Sequence, residues 1–171
     1  YLILIKDKCN SITNELINRW RNRSKILLEK SIFLDRMDNS DFINITRSCH
    51  IMLDPFYFGS GNTFYESMAY GIPFVSYPFN QKSKVVSAGY KQMQVKNAPV
   101  AKSCSDYVNW CEIYAENNLL LKQTKKDFIQ KARKYLFNDE DIYKQYYKFF
   151  KEAVKKAKEG EFLENNWKPS I

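Results

Sequence analysis

Residues 49–76 read CHIMLDPFYFGSGNTFYESMAYGIPFVS and predict a strand, a glycine loop, a helix and a second strand in succession. The apolar run at 51–53 is the first strand, and it leads into a loop with glycines at positions 59 and 61. A short helix is expected from Asn62-Thr63 to Gly71, and the second strand covers 74–76. Parallel sheets are built from units of this kind.

The start of this predicted helix has the features of an anion site. Glycines remove side chains, so backbone N–H groups can approach a ligand closely. The first N–H groups of a helix lack internal partners and lie at the positive end of its dipole, which favours a phosphate. Thr63 can add a hydroxyl donor, and Glu66 lies one turn further on the face of Asn62 and Thr63, where it suits the hydroxyl pair of a ribose. The same pattern also occurs in ordinary loops and helix caps, and that alternative stays open.

The rest of the chain also alternates between strands and helices. Further strands are expected at 2–5, 31–34 and 98–101. Before the central unit, one helix is expected after a cap at Ser11 and another after a cap at Ser40 or Asp41. After it, one helix is expected from 82–84 with a break near Gly89, and another from Ser105 or Asp106 to a break at Asn117-Asn118. The last two helices are expected at about 119–137 and 140–158. This order predicts an α/β fold, a doubly wound, Rossmann-like parallel sheet finished by C-terminal helices.

Ligands in such sheets bind beyond the carboxyl ends of the strands. Three predicted loops lie at carboxyl ends, at 35–40, 54–61 and 77–83. We expect them to line one edge of the sheet.

Length and composition indicate a globular chain. Its 171 residues suit one domain with a full core, and 44% of them are apolar. No run of eighteen apolar residues exists, so no membrane span is predicted. The missing initial Met suggests that the chain belongs to something longer.

The net charge of +8 allows nucleic acid, a membrane surface or an acidic ligand as partners. Much of the excess lies in 122–134 and 144–158, where lysines alternate with Tyr, Phe and Glu. A solvated helix face accounts best for these lysines, and a nucleic-acid surface is a poor second.

Metal binding and disulfides are not indicated. The four cysteines at 9, 49, 104 and 111 show no metal spacing and are expected to be buried free thiols in a reducing compartment, which predicts a cytoplasmic location. The lone His50 has no second imidazole with which to share a metal.

Several motifs in one order carry a family resemblance. They are Leu53-Asp54-Pro55-Phe56, then Gly59-x-Gly61-Asn62-Thr63-x-x-Glu66, then Gly71-Ile72-Pro73-Phe74-Val75. Together they resemble the C-terminal lobe of a GT-B glycosyltransferase and, more narrowly, are similar to the O-GlcNAc-transferase-like (SPINDLY-like) family. Weaker matches at 32–34, 41–45, 84–85, 89–93 and 106–107 extend the resemblance over roughly 2–158. We therefore expect a nucleotide-sugar-binding domain at 1–158 and a C-terminal tail at 159–171.

The resemblance implies a site for a UDP-linked sugar, UDP-GlcNAc or a UDP-hexose, with neither a metal nor another cofactor. It places Gly61, Asn62 and Thr63 at the diphosphate, Glu66 at the ribose, Met37 and Phe42 at the uracil, and Lys82 or Lys84 at the phosphate charge. Phe42 could equally belong to the core, and the lysines to the plain surface.

Two positions depart from the family. Many members have His-Thr-Thr where this chain has Gly61-Asn62-Thr63, and the ribose position often holds Asp rather than Glu66. The acceptor side and the catalytic base belong to an N-terminal lobe that has no counterpart here, so no catalytic residue and no acceptor are assigned.

The sequence therefore predicts the donor-binding lobe of a glycosyltransferase. Joined to its N-terminal lobe, it would transfer a sugar to an acceptor hydroxyl or amide. The alternative is a non-catalytic interaction module that kept the fold and lost the donor.

Overall fold

The computed structural model describes residues 1–137, 139, 141–164 and 166–168. Its chain divides into two compact units, residues 1–48 and 49–171.

The first unit contains two parallel strands and three helices. Strand β1 (Leu2–Ile5) pairs with β2 (Ser31–Leu34), with Leu2 opposite Ser31 and Ile5 opposite Leu34. Both strands have the predicted bounds. The connection between them holds the helices α1 (Asn10–Arg23) and α2 (Lys25–Glu29), and α3 (Asn39–Ser48) follows β2. A helical crossover is what a parallel pair requires.

The described residues of the second unit form a second parallel pair and five α-helices. Strand β3 (Met52–Leu53) lies beside β4 (Phe74–Val75), and α4 (Asn62–Ala69) connects them. The later elements are a 3-10 turn (Gln81–Ser83), α5 (Val85–Gln92), α6 (Cys104–Glu116), α7 (Asn118–Lys131), a π-helical turn (Ala132–Leu136) and α8 (Ile142–Lys158). The predicted α/β fold with parallel strands is thus confirmed. The start predicted for the last helix, at 140, lies outside the described residues.

The strand predicted at 98–101 is reduced to one parallel bridge, between Ser76 and Val100. Ser76 donates its N–H to the carbonyl of Pro99 and accepts from the N–H of Ala101 at 2.7 Å. Because Pro99 has no N–H, it can contribute only an acceptor to the ladder.

The core of the second unit lies between α4, β4, α5 and α7. Phe64 of α4 is fully buried and meets Phe74 of β4 and Tyr90 of α5 edge to face, with centroid distances of 5.9 and 5.4 Å. The Tyr90 hydroxyl accepts from the N–H of Phe74 at 2.8 Å and donates to its carbonyl at 3.1 Å. Burial raises the pKa of Tyr90 well above its usual value, so this hydroxyl stays protonated.

The predicted helix break near Gly89 is wrong, because α5 continues through it to Gln92. A Cβ at Gly89 would lie 2.2 Å from Cε1 of Phe64. The glycine therefore allows the buried ring to pack against the helix backbone. Gly71 has a different role, since its φ of +68° is left-handed and a Cβ there would lie 2.1 Å from the carbonyl oxygen of Lys125.

The predicted helix caps were misplaced by a few residues. Cys9, not Ser11, is the cap residue of α1, and the Ser11 hydroxyl lies 2.9 Å from the Cys9 thiol. Helix α3 begins at Asn39, with the Asp38 carboxylate accepting from the N–H of Asp41. The Ser103 side chain caps α6, so Ser105 and Asp106 lie inside the helix. The break at Asn117 is confirmed, and the Asn117 side chain caps α7.

All four cysteines are free, but the expectation that they are buried is wrong. Cys9 and Cys104 are exposed, and Cys49 and Cys111 are half-buried. Within the described residues, no group of three or more His, Cys, Asp or Glu side chains is arranged to hold a metal. No helix in that part of the chain is long and apolar enough to cross a membrane.

Candidate functional site

Asp54 anchors the glycine loop (residues 54–61) to the end of the β3–β4 pair. Its N–H donates to the carbonyl of Val75 at 2.9 Å, which continues the ladder past β3. Its buried carboxylate accepts from the N–H of Ser60 at 2.8 Å and from the Ser76 hydroxyl at 2.6 Å. One side chain therefore ties the loop to both strands.

Burial raises the pKa of Asp54, and the hydrogen bonds from Ser76 and Ser60 oppose that rise only in part. Above the loop, the Tyr107 hydroxyl donates to the Asp54 carbonyl at 3.2 Å. Burial raises the pKa of Tyr107 as well, so it remains a donor at neutral pH. These contacts hold the loop without any ligand.

A second loop, residues 77–84, contacts the first and is called the bracing loop. Asn80 and Ser83 cap the 3-10 turn reciprocally, since each side chain accepts from the backbone N–H of the other. The Asn80 amide also donates to the carbonyl of Tyr57 at 3.2 Å, and the N–H of Gly59 donates to the carbonyl of Lys82 at 3.1 Å. A Cβ at Gly59 would lie 2.9 Å from Cα of Ser83, so this glycine serves the packing of the two loops.

Gly61, in contrast, faces open space. A Cβ at this position would meet no atom within 4 Å. Gly61 is the cap residue of α4, no side chain caps the helix, and its carbonyl accepts from the N–H of Phe64 at 3.0 Å. An uncapped helix start next to an open glycine leaves backbone donors accessible to an anion.

The other predicted residues of the second unit lie around this point. Asn62 is exposed, and Thr63 and Glu66 are half-buried on the first turns of α4. Lys82 and Lys84 are exposed on the bracing loop, and the Lys82 backbone contacts Gly59, two residues before Gly61. Six of the eight predicted residues therefore lie at Gly61, on the first turns of α4 and on the bracing loop, and the N–H of Gly59 joins the two loops by its hydrogen bond to Lys82.

Met37 and Phe42 belong to the first unit. Met37 is half-buried between β2 and α3, and Phe42 is half-buried within α3. Their expected contact with a uracil stays a prediction.

Sequence reasoning missed the residues that position the loop. The sequence places Asp54 in the 54–61 loop and in the family motif, and Asn80 in the 77–83 loop, without a positioning role for either. One local signal existed, an Asp-Pro pair at the carboxyl end of a short apolar strand. The main partner of Asp54, Ser76, is 22 residues away, which no local pattern reveals.

Exposed aromatic side chains lie within the glycine loop and on the bracing loop beside it. Tyr57 and Phe58 are 74% and 72% exposed, and Tyr57 meets Phe79 of the bracing loop edge to face at 5.7 Å. A pocket of about 640 Å³ lies elsewhere, between α6, α7 and the 94–97 segment, and none of the predicted site residues lines it.

No protein-family model matches this chain, and no curated protein matches it by sequence. Its fold, however, is similar to that in a solved structure of a mutant of the Thermobaculum terrenum O-GlcNAc transferase. The two superpose with a TM-score of 0.77 at 15% sequence identity. The match covers 91% of this chain and 31% of the transferase chain, so this chain spans about a third of that protein's length.

The likeness establishes the fold. The fold of this chain is similar to that of part of an O-GlcNAc transferase, which is the coarser part of what the sequence predicted. The donor, the activity and the roles of single residues stay proposals.

Proposed function

We propose that this chain is the donor-binding lobe of a glycosyltransferase and that it binds a UDP-sugar at the start of α4. The observation that carries the proposal is the open, uncapped helix start at Gly61, on a loop that Asp54 holds in place. The likeness to a transferase lobe supports it.

The diphosphate is expected to lie against Gly61, Asn62 and Thr63. Backbone N–H groups and the helix dipole favour negative charge there, and the absent Cβ at Gly61 lets the phosphate approach. Lys82 and Lys84 on the bracing loop add positive charge to the same region. Because the loops are already hydrogen-bonded to each other, little order has to be gained on binding.

Glu66 is expected to accept hydrogen bonds from the ribose hydroxyls. It lies three residues after Thr63, on the same helix face. Met37 and Phe42 are proposed uracil contacts on the basis of the family resemblance alone.

In a complete enzyme, this lobe would stabilise the departing diphosphate while an acceptor attacks the anomeric carbon. Fixed donors aimed at charge that develops on a leaving group commonly make the largest contribution to catalysis. The acceptor site and the base would come from the N-terminal lobe, so the isolated chain is expected to bind donor weakly and to turn over nothing.

The test is calorimetric titration of the chain with UDP, and with CMP and ADP as base controls. We expect UDP to bind with a Kd on the order of a millimolar or tighter. Glu66→Ala should weaken this by roughly tenfold or more, because hydrogen bonds to a carboxylate contribute about 1.5–3 kcal/mol each. Glu112→Ala, which removes an exposed carboxylate from α6, is the matched control and should leave the affinity unchanged.

Equal affinity for all three nucleotides, or full UDP affinity in Glu66→Ala, would refute the assigned roles. Absence of UDP binding at millimolar ligand would favour the alternative, a non-catalytic module of the same fold.

A further inference from the structure

Helix α8 separates its apolar and basic residues onto two faces. Six of its 17 residues are lysines and one is a glutamate. The apolar residues recur at helical spacing and include five aromatic rings: Ile142, Tyr143, Tyr146, Tyr147, Phe149, Phe150, Ala153 and Val154. Such a helix needs a partner for its apolar face.

Among the described residues, one strip of that face is left uncovered. No residue of α8 is buried. Tyr147 is 66% exposed, Phe150 57% and Val154 54%. Elsewhere on the face, Phe149 meets Trp167 edge to face at 5.7 Å, and Ile142 and Tyr146 line a pocket with Gln92. A solvated face accounts for the lysines but not for the exposed rings beside them.

Lysines border the uncovered strip directly. Lys151, Lys155 and Lys158 line one shallow depression together with Tyr147, Phe150 and Val154. The Lys151 ammonium lies 6.0 Å from the centre of the Tyr147 ring. Positive charge therefore directly borders the uncovered apolar strip.

A strong separation of faces, lysines on the polar side and aromatic rings on the other are the features of helices that lie in the plane of a membrane interface. Tyr rings fit the headgroup level, because they combine an apolar ring with a polar hydroxyl, and Phe rings add apolar surface. Anionic lipids attract the lysines. A neutral protein surface would bury the rings equally well but would leave the excess of positive charge unmatched.

We propose that α8 is a peripheral membrane-binding element that lies flat on an anionic lipid bilayer. Phe150, Tyr147 and Val154 enter the headgroup region, and Lys151, Lys155 and Lys158 contact the acidic headgroups. This surface is distant in sequence from the proposed donor site, and the two proposals are tested independently.

The test is co-sedimentation of the full chain with vesicles of phosphatidylcholine, with or without phosphatidylserine. We expect binding to the mixed vesicles that weakens as salt is raised. Phe150→Ser should weaken it by roughly tenfold, the loss expected for one apolar side chain. Each of Lys151→Gln and Lys155→Gln should weaken it by roughly fivefold, since each basic residue near such a surface contributes about that factor.

Matched controls distinguish binding through α8 from non-specific binding to vesicles. Ile26→Ser removes a 72% exposed apolar side chain from α2, and Lys122→Gln and Lys126→Gln remove exposed charges from α7. These variants should bind vesicles like the parent chain. All the substituted side chains are exposed, so circular dichroism should show an unchanged fold.

Three results would overturn the proposal. The first is absence of binding to phosphatidylserine vesicles, and the second is equal binding to neutral ones. The third is a dimer, seen by analytical ultracentrifugation, that Phe150→Ser dissociates while no vesicle binding occurs. That last result would assign the face to a second copy of the chain.

Discussion

Replacing Asp54 with alanine should loosen the glycine loop and destabilise the second unit. The carboxylate is 2% exposed and accepts two short hydrogen bonds, one from the Ser60 N–H and one from the Ser76 hydroxyl. Asp54→Ala leaves the fully buried Ser76 hydroxyl without its acceptor and frees the loop backbone at Ser60.

The magnitude follows from these contacts. Hydrogen bonds to a charged group contribute about 1.5–3 kcal/mol each. The desolvation cost that raises the pKa of Asp54 offsets part of this sum. We therefore expect a loss of about 3 kcal/mol in the free energy of unfolding, equivalent to a fall in Tm of roughly 6–12 °C for a chain of this size.

Asp54→Asn is the matched control. Its amide oxygen can accept from the Ser60 N–H, and its amide nitrogen can donate to the Ser76 hydroxyl oxygen. We expect it to lose no more than about 1.5 kcal/mol, the value of one ordinary hydrogen bond. The assay is urea unfolding followed by circular dichroism, with hydrogen exchange of the Ser60 amide as a local readout. Equal stability of the parent chain and Asp54→Ala, or unchanged Ser60 exchange, would refute the assigned role.

Two further predictions concern pH and Gly71. Because burial raises the pKa of Asp54 in the folded state, ionisation of the carboxyl weakens its net contribution, which is largest below about pH 3.9, the unfolded value, and falls as pH rises through the folded value. The stability advantage of the parent chain over Asp54→Asn should therefore shrink above pH 4, and an advantage constant from pH 3.5 to 7 in urea titrations would contradict this. Gly71→Ala should cost at least about 2 kcal/mol, because a left-handed φ and a backbone contact coincide there. Gly160→Ala shares the positive φ in open space, so thermal melts should show it to be clearly the milder of the two changes.

The central strand–loop–helix–strand unit was predictable because its signals are local. The glycines, the apolar runs and the Asp-Pro pair lie within 28 residues, and the observed elements begin and end within about two residues of the expected ones. Helix α4 begins at Asn62, as predicted. Those local signals also place the candidate phosphate residues next to one another.

Contacts between distant residues account for most of what the sequence could not predict. Gly89 looked like a helix break, but it makes room for a ring that comes from α4. The hydrogen bond from Ser76 to Asp54 joins the glycine loop to the end of the neighbouring strand. The hydrogen bond from Gly59 to Lys82 joins the glycine loop to the bracing loop. Several Ser and Asp residues lie close together at the helix starts, so the sequence pattern could not tell which one caps.

The periodicity of 140–158 predicted a helix but not the state of its apolar face. An amphipathic pattern shows which residues share a face, whereas only the structure shows whether another element covers them. In α8, Trp167 of the tail meets Phe149, whereas Phe150 is 57% exposed.

The most direct test of the account is calorimetric titration of the parent chain and Gly61→Ala with UDP and with uridine. Gly61 has room for a methyl group in the structure, so circular dichroism should show that the variant keeps its fold. The account predicts that UDP binds the parent chain more tightly than uridine does and that Gly61→Ala removes this difference, because the methyl group would occupy the place of the phosphate. Equal binding of UDP and uridine to the parent chain, or an undiminished preference for UDP in Gly61→Ala, would contradict the claim that the start of α4 binds the diphosphate.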